Sequence, residues 1–337
     1  MAITTPSQST SIAHISPISR SVTSSSPPAI GLVQTYEPED VLSDSLQTLY
    51  NFLPVTFASA GASYTYTHPG SSLSSPIEIT LQTPDTDAAN WSLHASSIWI
   101  ASVQLASGVD FLRIDQHLKR TEAGSDGSTA RASRSRPLKI LELGASAGLP
   151  SILIAKIFPE IVSVVASDYP DPHIIKTLTQ NIRNNNVDTN CHAMSYDWGS
   201  DPSPLFSMDK VDEQDAGFDI IMAADTLWNS EYHSKFVDAL QRTLRKGPNS
   251  RVHLVAGLHT GRYTLDSFLR LVVRAGFCII EVVERRVESG PEEGCVSAVQ
   301  TRAWDVTRAE HEEENDRRRW VIWIEICWKR AACCKHI

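Results

Sequence analysis

No run of eighteen or more apolar residues occurs in this chain of 337 residues. The longest candidate, from Ala147 to Ser167, is interrupted by Lys156, Pro159 and Glu160, so no membrane-spanning helix is expected. Cysteine is scarce: six residues, at 191, 278, 295, 327, 333 and 334, and no two are spaced as CxxC. Neither a zinc site nor a disulfide framework is indicated, no metal is expected, and reduced thiols in a cytosolic or nuclear protein are the default, with a cytoplasmic location expected. Basic charge is in deficit, with Lys+Arg 30 against Asp+Glu 39 and a formal net charge of −9, which argues against non-specific nucleic-acid binding. Internal repeats are absent. With 42% hydrophobic and 20% charged residues, the chain can bury one large core.

Acidic residues are also missing before Glu37. Residues 1–30 are rich in Ser, Thr and Pro, a composition shared with mitochondrial transit peptides, but Arg20 is the one arginine there. Residues 1–35 are therefore expected to be a disordered tail. The chain ends Cys334-Lys335-His336-Ile337, and Lys and His do not suit the aliphatic middle of a prenylation box.

Residues 36–115 read as a hairpin and helix region packed on the core. Tyr64-Thr-Tyr-Thr and Ile77-Glu-Ile-Thr-Leu alternate with period two around a Pro/Gly/Ser stretch, which predicts a β-hairpin. Ile98, Ser102, Leu105, Val109 and Leu112 follow helical spacing, predicting one amphipathic helix over about 94–113. Residues 121–136, rich in Gly, Ser and Arg, read as a flexible loop, and 137–330 as the core.

The core alternates strand and helix. Strand 139–143 leads to a helix from Pro150 ended by Pro159; strand 162–166 leads to Asp168. Asp171 caps a helix whose apolar face is Ile174, Leu178 and Ile182. A short strand near 192–195, a buried strand over 218–225 and a helix with Tyr232, Phe236, Leu240 and Leu244 follow. Then come strand 252–256 and a helix over about 265–275, stopped by Gly276. The last two strands, 277–283 and 320–328, are separated by a charged segment without an apolar helical face. A parallel neighbour needs a crossover, so the final strand is expected to return antiparallel as a long hairpin. Pro291-Glu292-Glu293 and Glu310–Asp316 make that connection acidic, a surface that would steer a basic segment toward it.

The chemistry lies where the first core strand ends. Residues 140–151 read Ile-Leu-Glu-Leu-Gly-Ala-Ser-Ala-Gly-Leu-Pro-Ser, and Asp168 stands twenty residues after Gly148, at the end of the second strand. Glycines there let a ligand approach the turn closely, and the acid can accept both hydroxyls of an adenosine ribose. Two cofactors compete. The turn Gly144-Ala-Ser-Ala-Gly148 fits G-x-x-x-G and lacks the G-x-G-x-x-G of dinucleotide sites. Glu142 can order the turn and face a ligand's amino acid end, the final strand pair is antiparallel, and Trp198 and Trp228 offer rings to an adenine or a sulfonium. These three features favour S-adenosylmethionine. His192, His253 and His259 have no partner spacing and read as ordinary polar residues.

The segments Ser97-Ile-Trp99-Ile-Ala-Ser, Leu141-Glu-Leu-Gly-Ala-Ser-Ala-Gly148, Ser167-Asp168, Asp197-Trp198-Gly199 and Ala223-Ala-Asp225-Thr-Leu-Trp228-Asn229 resemble the family 16 lysine methyltransferases. The similarity is greatest to the fungal branch that modifies the N-terminus and a nearby lysine of elongation factor 1A, often labelled nicotinamide N-methyltransferase; it spans roughly 75–330. The resemblance implies an α/β fold: a Rossmann-like seven-stranded methyltransferase sheet with an antiparallel final hairpin. It implies that Trp99 closes one side of the cofactor site from the preceding helix and that Gly144, Ala145 and Ser146 form the backbone turn. Asp168 would hold the ribose, Asp197 and Trp198 would lie at the adenine, and Ala224 would lend backbone beside the ligand. Asp225, Trp228 and Asn229 would reach toward the substrate. Relatives carry Asp-x-x-Tyr or Asp-x-x-Phe where this chain has Asp225-Thr-Leu-Trp228. The expected function is S-adenosylmethionine-dependent N-methylation of a protein amine. A small-molecule amine, nicotinamide-like or a secondary metabolite, is the alternative acceptor, and a non-catalytic cofactor-binding adaptor is the alternative class. No nucleic-acid or membrane partner is expected.

Overall fold

Period-two burial along each core strand divides the molecule into two apolar layers. Ile140, Val164 and Ile220 point into one layer and their neighbours Leu141, Val165 and Ile221 into the other. The computed structural model describes residues 56–70, 75–86, 88–117, 136–207, 217–287 and 300–329, which fall within one compact unit, Asn51–Ile337. The expected tail at 1–35, the loop at 121–135, Pro291–Glu293 and the carboxyl-terminal four residues lie outside the described residues.

The central strands are β5 (Leu138–Leu143), β6 (Val162–Asp168), β7 (Cys191–Ser195), β8 (Ile220–Ala224), β9 (Arg251–Gly257), β10 (Phe277–Arg286), β11 (Thr301–Ala303) and β12 (Trp320–Trp328). Their order is β11-β10-β12-β9-β8-β5-β6-β7. Strands β5 to β9 pair in parallel, and β12 runs antiparallel between β9 and β10. The antiparallel return of the last strand is as expected. All seven expected strands form, and an eighth, β11, is added at the edge. Thr301–Ala303 pairs antiparallel with the edge of β10. It carries no apolar alternation, because Arg302 is held by ion pairs to Glu284 and Glu312 and not by burial of a hydrophobic face.

One layer is covered by α1 (Ile100–Ser107), α2 (Leu149–Ile157) and α3 (Pro172–Asn184), the other by α4 (His233–Thr243) and α5 (Arg262–Arg274). Asp171 caps α3 as its sequence predicts, accepting from the amides of His173 (2.7 Å) and Ile174 (3.2 Å). The expected hairpin is β2 (Ser63–His68) with β3 (Ile77–Gln82). It is tied to α3 through Asn181, whose amide group bridges the backbone N–H and C=O of Gln82 at 2.9 and 2.8 Å.

The single helix expected over 94–113 is not formed. Ile98–Trp99 is extended as β4 and pairs with β1 (Thr56–Phe57); α1 follows, and after Gly108 a 3-10 turn covers Val109–Leu112. Gly108 lies against Trp323, where a Cβ would come within 2.7 Å of the indole. The apolar spacing survived the break because the 3-10 turn keeps Val109 and Leu112 on the buried side, with Leu105.

Candidate functional site

Chain direction reverses its lateral progress at β5: β6 and β7 lie to one side, β8 and β9 to the other. Open parallel sheets bind ligands at the carboxyl ends of strands beside such a switch. A cleft of about 240 Å³ opens there.

Its floor is the turn after β5. Gly144, Ser146 and Gly148 all adopt left-handed backbone, with φ 74, 49 and 88°. A side chain on Gly144 would meet Thr226 at 2.8 Å, and one on Gly148 would meet Leu178 at 2.6 Å, so glycine is required at both for steric as well as torsional reasons. Four of the turn's five amides are paired within the chain. Gly144 and Ala145 N–H both donate to the Ser167 carbonyl (2.9 Å each), Ser146 N–H to Asp168 Oδ2 (2.6 Å), and Gly148 N–H to the Ala145 carbonyl (2.7 Å).

Glu142 is buried beneath the turn and accepts from the backbone N–H (3.1 Å) and hydroxyl of Ser151 in the first turn of α2. Burial pushes its carboxyl up to about 8. Glu142, Ala145 and Gly148 line a smaller crevice next to the cleft, with Trp99, Gly144, Ser146 and Ala224 shared between the two. Asp168 lines the cleft at the end of β6. Its second oxygen accepts from Tyr169 N–H (2.7 Å), and burial raises its carboxyl to about 6.

The walls come mainly from two loops and one short strand. Asp197 and Trp198, after β7, form one; Trp198 packs edge-on against Phe236 with centroids 4.8 Å apart. Ala224, Asp225, Thr226 and Trp228, after β8, form another. Asp225 adopts left-handed backbone, φ 52°, and its Oδ1 accepts from Gly257 N–H at 2.8 Å. Burial raises its carboxyl; His259 and the amides of Gly257 and Ala101 oppose that rise. Trp99 closes the cleft, but from the extended strand β4, not from a helix as expected. Asn229 lies off the cleft: its carbonyl oxygen caps the next turn, accepting from Glu231 N–H at 2.9 Å.

Sequence reasoning passed over several lining residues. Tyr169 and Tyr196 directly flank the strings Ser167-Asp168 and Asp197-Trp198-Gly199, and Tyr232 and Lys235 lie at the start of α4. His94 carried no signal. It lines the cleft in left-handed backbone, φ 54°, with its ring edge-on to Trp228 (4.9 Å) and to Trp99 (6.0 Å). Three lining groups are buried without a hydrogen-bond partner: Tyr196 OH, Asp225 Oδ2 and Thr226 Oγ1. Buried polar atoms are ordinarily paired, so their convergence on one cleft marks where a ligand's polar groups would go.

Among curated proteins, the chain is 39% identical over 159 residues to the Protein N-terminal and lysine N-methyltransferase efm7 of Neurospora crassa, covering 44% of this chain and 56% of that protein. It is 29% identical over 198 residues to the protein of the same name from Schizosaccharomyces pombe, covering 58% and 69%. The chain thus spans little more than half the length of the Neurospora relative. Among solved structures, the human methyltransferase 10 domain containing protein aligns over 67% of this chain and 82% of its own at 12% identity, with a TM-score of 0.38. The family model described as lysine methyltransferase matches residues 85–272, more than half of the sequence and all of the loops that build the cleft up to His259, and the chain belongs to that family.

Proposed function

We propose that the cleft binds S-adenosylmethionine and that the protein methylates an amine of another protein, a lysine or an N-terminus of the elongation factor 1A type. The pairing of the turn's amides carries the cofactor reading. A dinucleotide needs those amides, and the start of the following helix, for its pyrophosphate. Here four amides bond within the chain, and the start of α2 is occupied by the buried carboxyl of Glu142. S-adenosylmethionine has no phosphate to place. Its ribose suits Asp168, which retains lone pairs on both oxygens, and its rings and sulfonium suit Trp198 and Trp99. Gly144, Ala145, Ser146 and Gly148 would carry it closely over the turn, with Glu142 beneath its amino acid end and Asp197 and Ala224 at its flanks.

When bound, S-adenosylmethionine supplies a methyl group already activated on a sulfonium. The chain's task is alignment and exclusion of water. The acceptor nitrogen must present a free lone pair. At pH 7 that costs roughly 4.6 kcal/mol for a lysine near ~10.4 and about 1 kcal/mol for an α-amine near ~7.8. Asp225 Oδ2, unpartnered and buried, is the oxygen available to orient such an amine, with Trp228 beside it. Asn229 serves the same loop by capping it. A protein acceptor is supported by the names that the fungal relatives bear.

The test is incubation of the protein with radiolabelled S-adenosylmethionine in cell extract, followed by separation of macromolecules from small molecules. Label on a protein is expected. Label confined to the small-molecule fraction would overturn the protein acceptor and leave a small-molecule N-methyltransferase.

A further inference from the structure

His259 does not line the cleft, yet it touches two residues that do. It lies in the 3-10 turn Leu258–Thr260 after β9, between Gly257 and Gly261. Its Nε2 is 3.9 Å from Asp225 Oδ1, the oxygen that also accepts from Gly257 N–H. Its ring stacks on the indole of Trp99, centroids 5.5 Å apart and planes 19° from parallel. This fold-back depends on Gly257, where a Cβ would collide with the imidazole. The side chain of Asp225 is 3% exposed and that of His259 20%, so the pair sits at the wall's inner edge.

We infer that His259 is a positioning residue: it holds Asp225 by one oxygen, leaving Oδ2 free for the acceptor amine, and braces Trp99 against the cofactor side of the same cleft. The inference rests on the methyltransferase reading. It also has an electrostatic consequence that stands without a cofactor. Other than His259, the groups that act on the Asp225 carboxyl are the uncharged amides of Gly257 and Ala101. The remaining ionisable side chains on the described elements around it include Glu142 below the turn, Asp168, Tyr169, Tyr196, Asp197, His94, His253 on β9, and Tyr232, His233 and Lys235 at the start of α4. Burial raises the Asp225 carboxyl and His259 opposes it, so loss of the imidazole raises it further.

Two variants separate the roles. His259→Phe keeps a ring against Trp99 and loses the nitrogens; His259→Ala loses both. With Asp carboxyls labelled with 13C and Asp225 assigned through Asp225→Asn, both variants are expected to move its NMR titration upward. Calorimetry with S-adenosylhomocysteine is expected to show about tenfold weaker binding for His259→Ala and unchanged binding for His259→Phe. An Asp225 titration unmoved in His259→Phe overturns the inference. Failure of the wild-type protein to bind S-adenosylhomocysteine would instead overturn the cofactor reading, because the titration needs no ligand.

Discussion

Asp168 joins two segments through its two oxygens, the glycine turn through Ser146 and its own loop through Tyr169. Each oxygen keeps a lone pair toward the cleft, which is what a ribose diol requires. Asp168→Ala is expected to weaken S-adenosylmethionine binding by about 2–3 kcal/mol, the worth of charge-assisted hydrogen bonds. Calorimetry on variant protein with an unchanged circular dichroism spectrum checks this, and unchanged affinity would remove Asp168 from the site. Trp228 differs in that its ring meets His94 and not the glycine turn. Trp228→Ala should lower turnover at least ~10-fold, about 1.4 kcal/mol, while leaving cofactor affinity nearly unaltered. Equal losses in both would place the indole against the cofactor. His94, Ser146 and Asp225 are non-glycine residues in left-handed backbone, and all three line the one cleft. Such strain persists where surrounding contacts over-determine it, as at binding sites.

At the scale of elements, the junction of β5 and α2 is the most constrained. Glu142 fills the helix start that other nucleotide folds leave open, bonded to Ser151. Its carboxyl stands at about 8 against an ordinary 4.5, raised by burial. A raised folded-state value means that its contribution is fully present below pH 4.5 and declines as pH rises to about 8. Asp168 adds the same sign between 3.8 and about 6. Urea midpoints should therefore fall between pH 5 and pH 8 more steeply for the wild type than for Glu142→Gln. Parallel slopes would show that Glu142 is ionised in the folded protein. The sequence read this junction well, because a glycine turn, a proline in the first helical turn and an acid at the next strand's end are local signals. It read β4 poorly. Ile98 carries helical spacing, and the extended form of Ile98 and Trp99 is imposed by pairing with Phe57 and Thr56, some forty residues earlier.

Across the molecule, the acidic run Glu310–Asp316 proves to be partly internal. Glu312 joins Arg262 and Arg302, and Glu314 joins Arg318, so these charges are already matched before any partner arrives. The centre of this network is Arg262, buried in α5 and bonded to Glu284 on β10 at 2.6 and 2.9 Å. Arg308 joins the same glutamate at 3.0 Å. Together these pairs fasten the charged connection and β11 to the sheet. Arg262→Met removes the buried cation between Glu284 and Glu312 and leaves them only the more exposed Arg302 and Arg308, which should cost about 3 kcal/mol in urea unfolding. A cost within about 0.5 kcal/mol would mean that the network is solvated and that β11 is held by backbone pairing alone.

Read alone, the sequence determined the alternation of strands and helices, the antiparallel last strand, the glycine turn and its acid, and the residues Trp99, Trp198, Asp225 and Trp228 of the cleft. The elements, the turn and its acid follow from spacing within about twenty residues; Trp99 and Asp225 are placed by the family resemblance of the strings that hold them. Only the tertiary structure decided that the turn's amides are occupied, that Asn229 caps a turn outside the cleft, and that His94 and His259 stand beside Trp99. His94 and His259 are 165 positions apart, and neither lies in a pattern of its own. Packing of the turn after β9 against β4 sets His259 on the face of the Trp99 indole whose edge neighbour is His94, and long-range packing of that kind leaves no period in the chain.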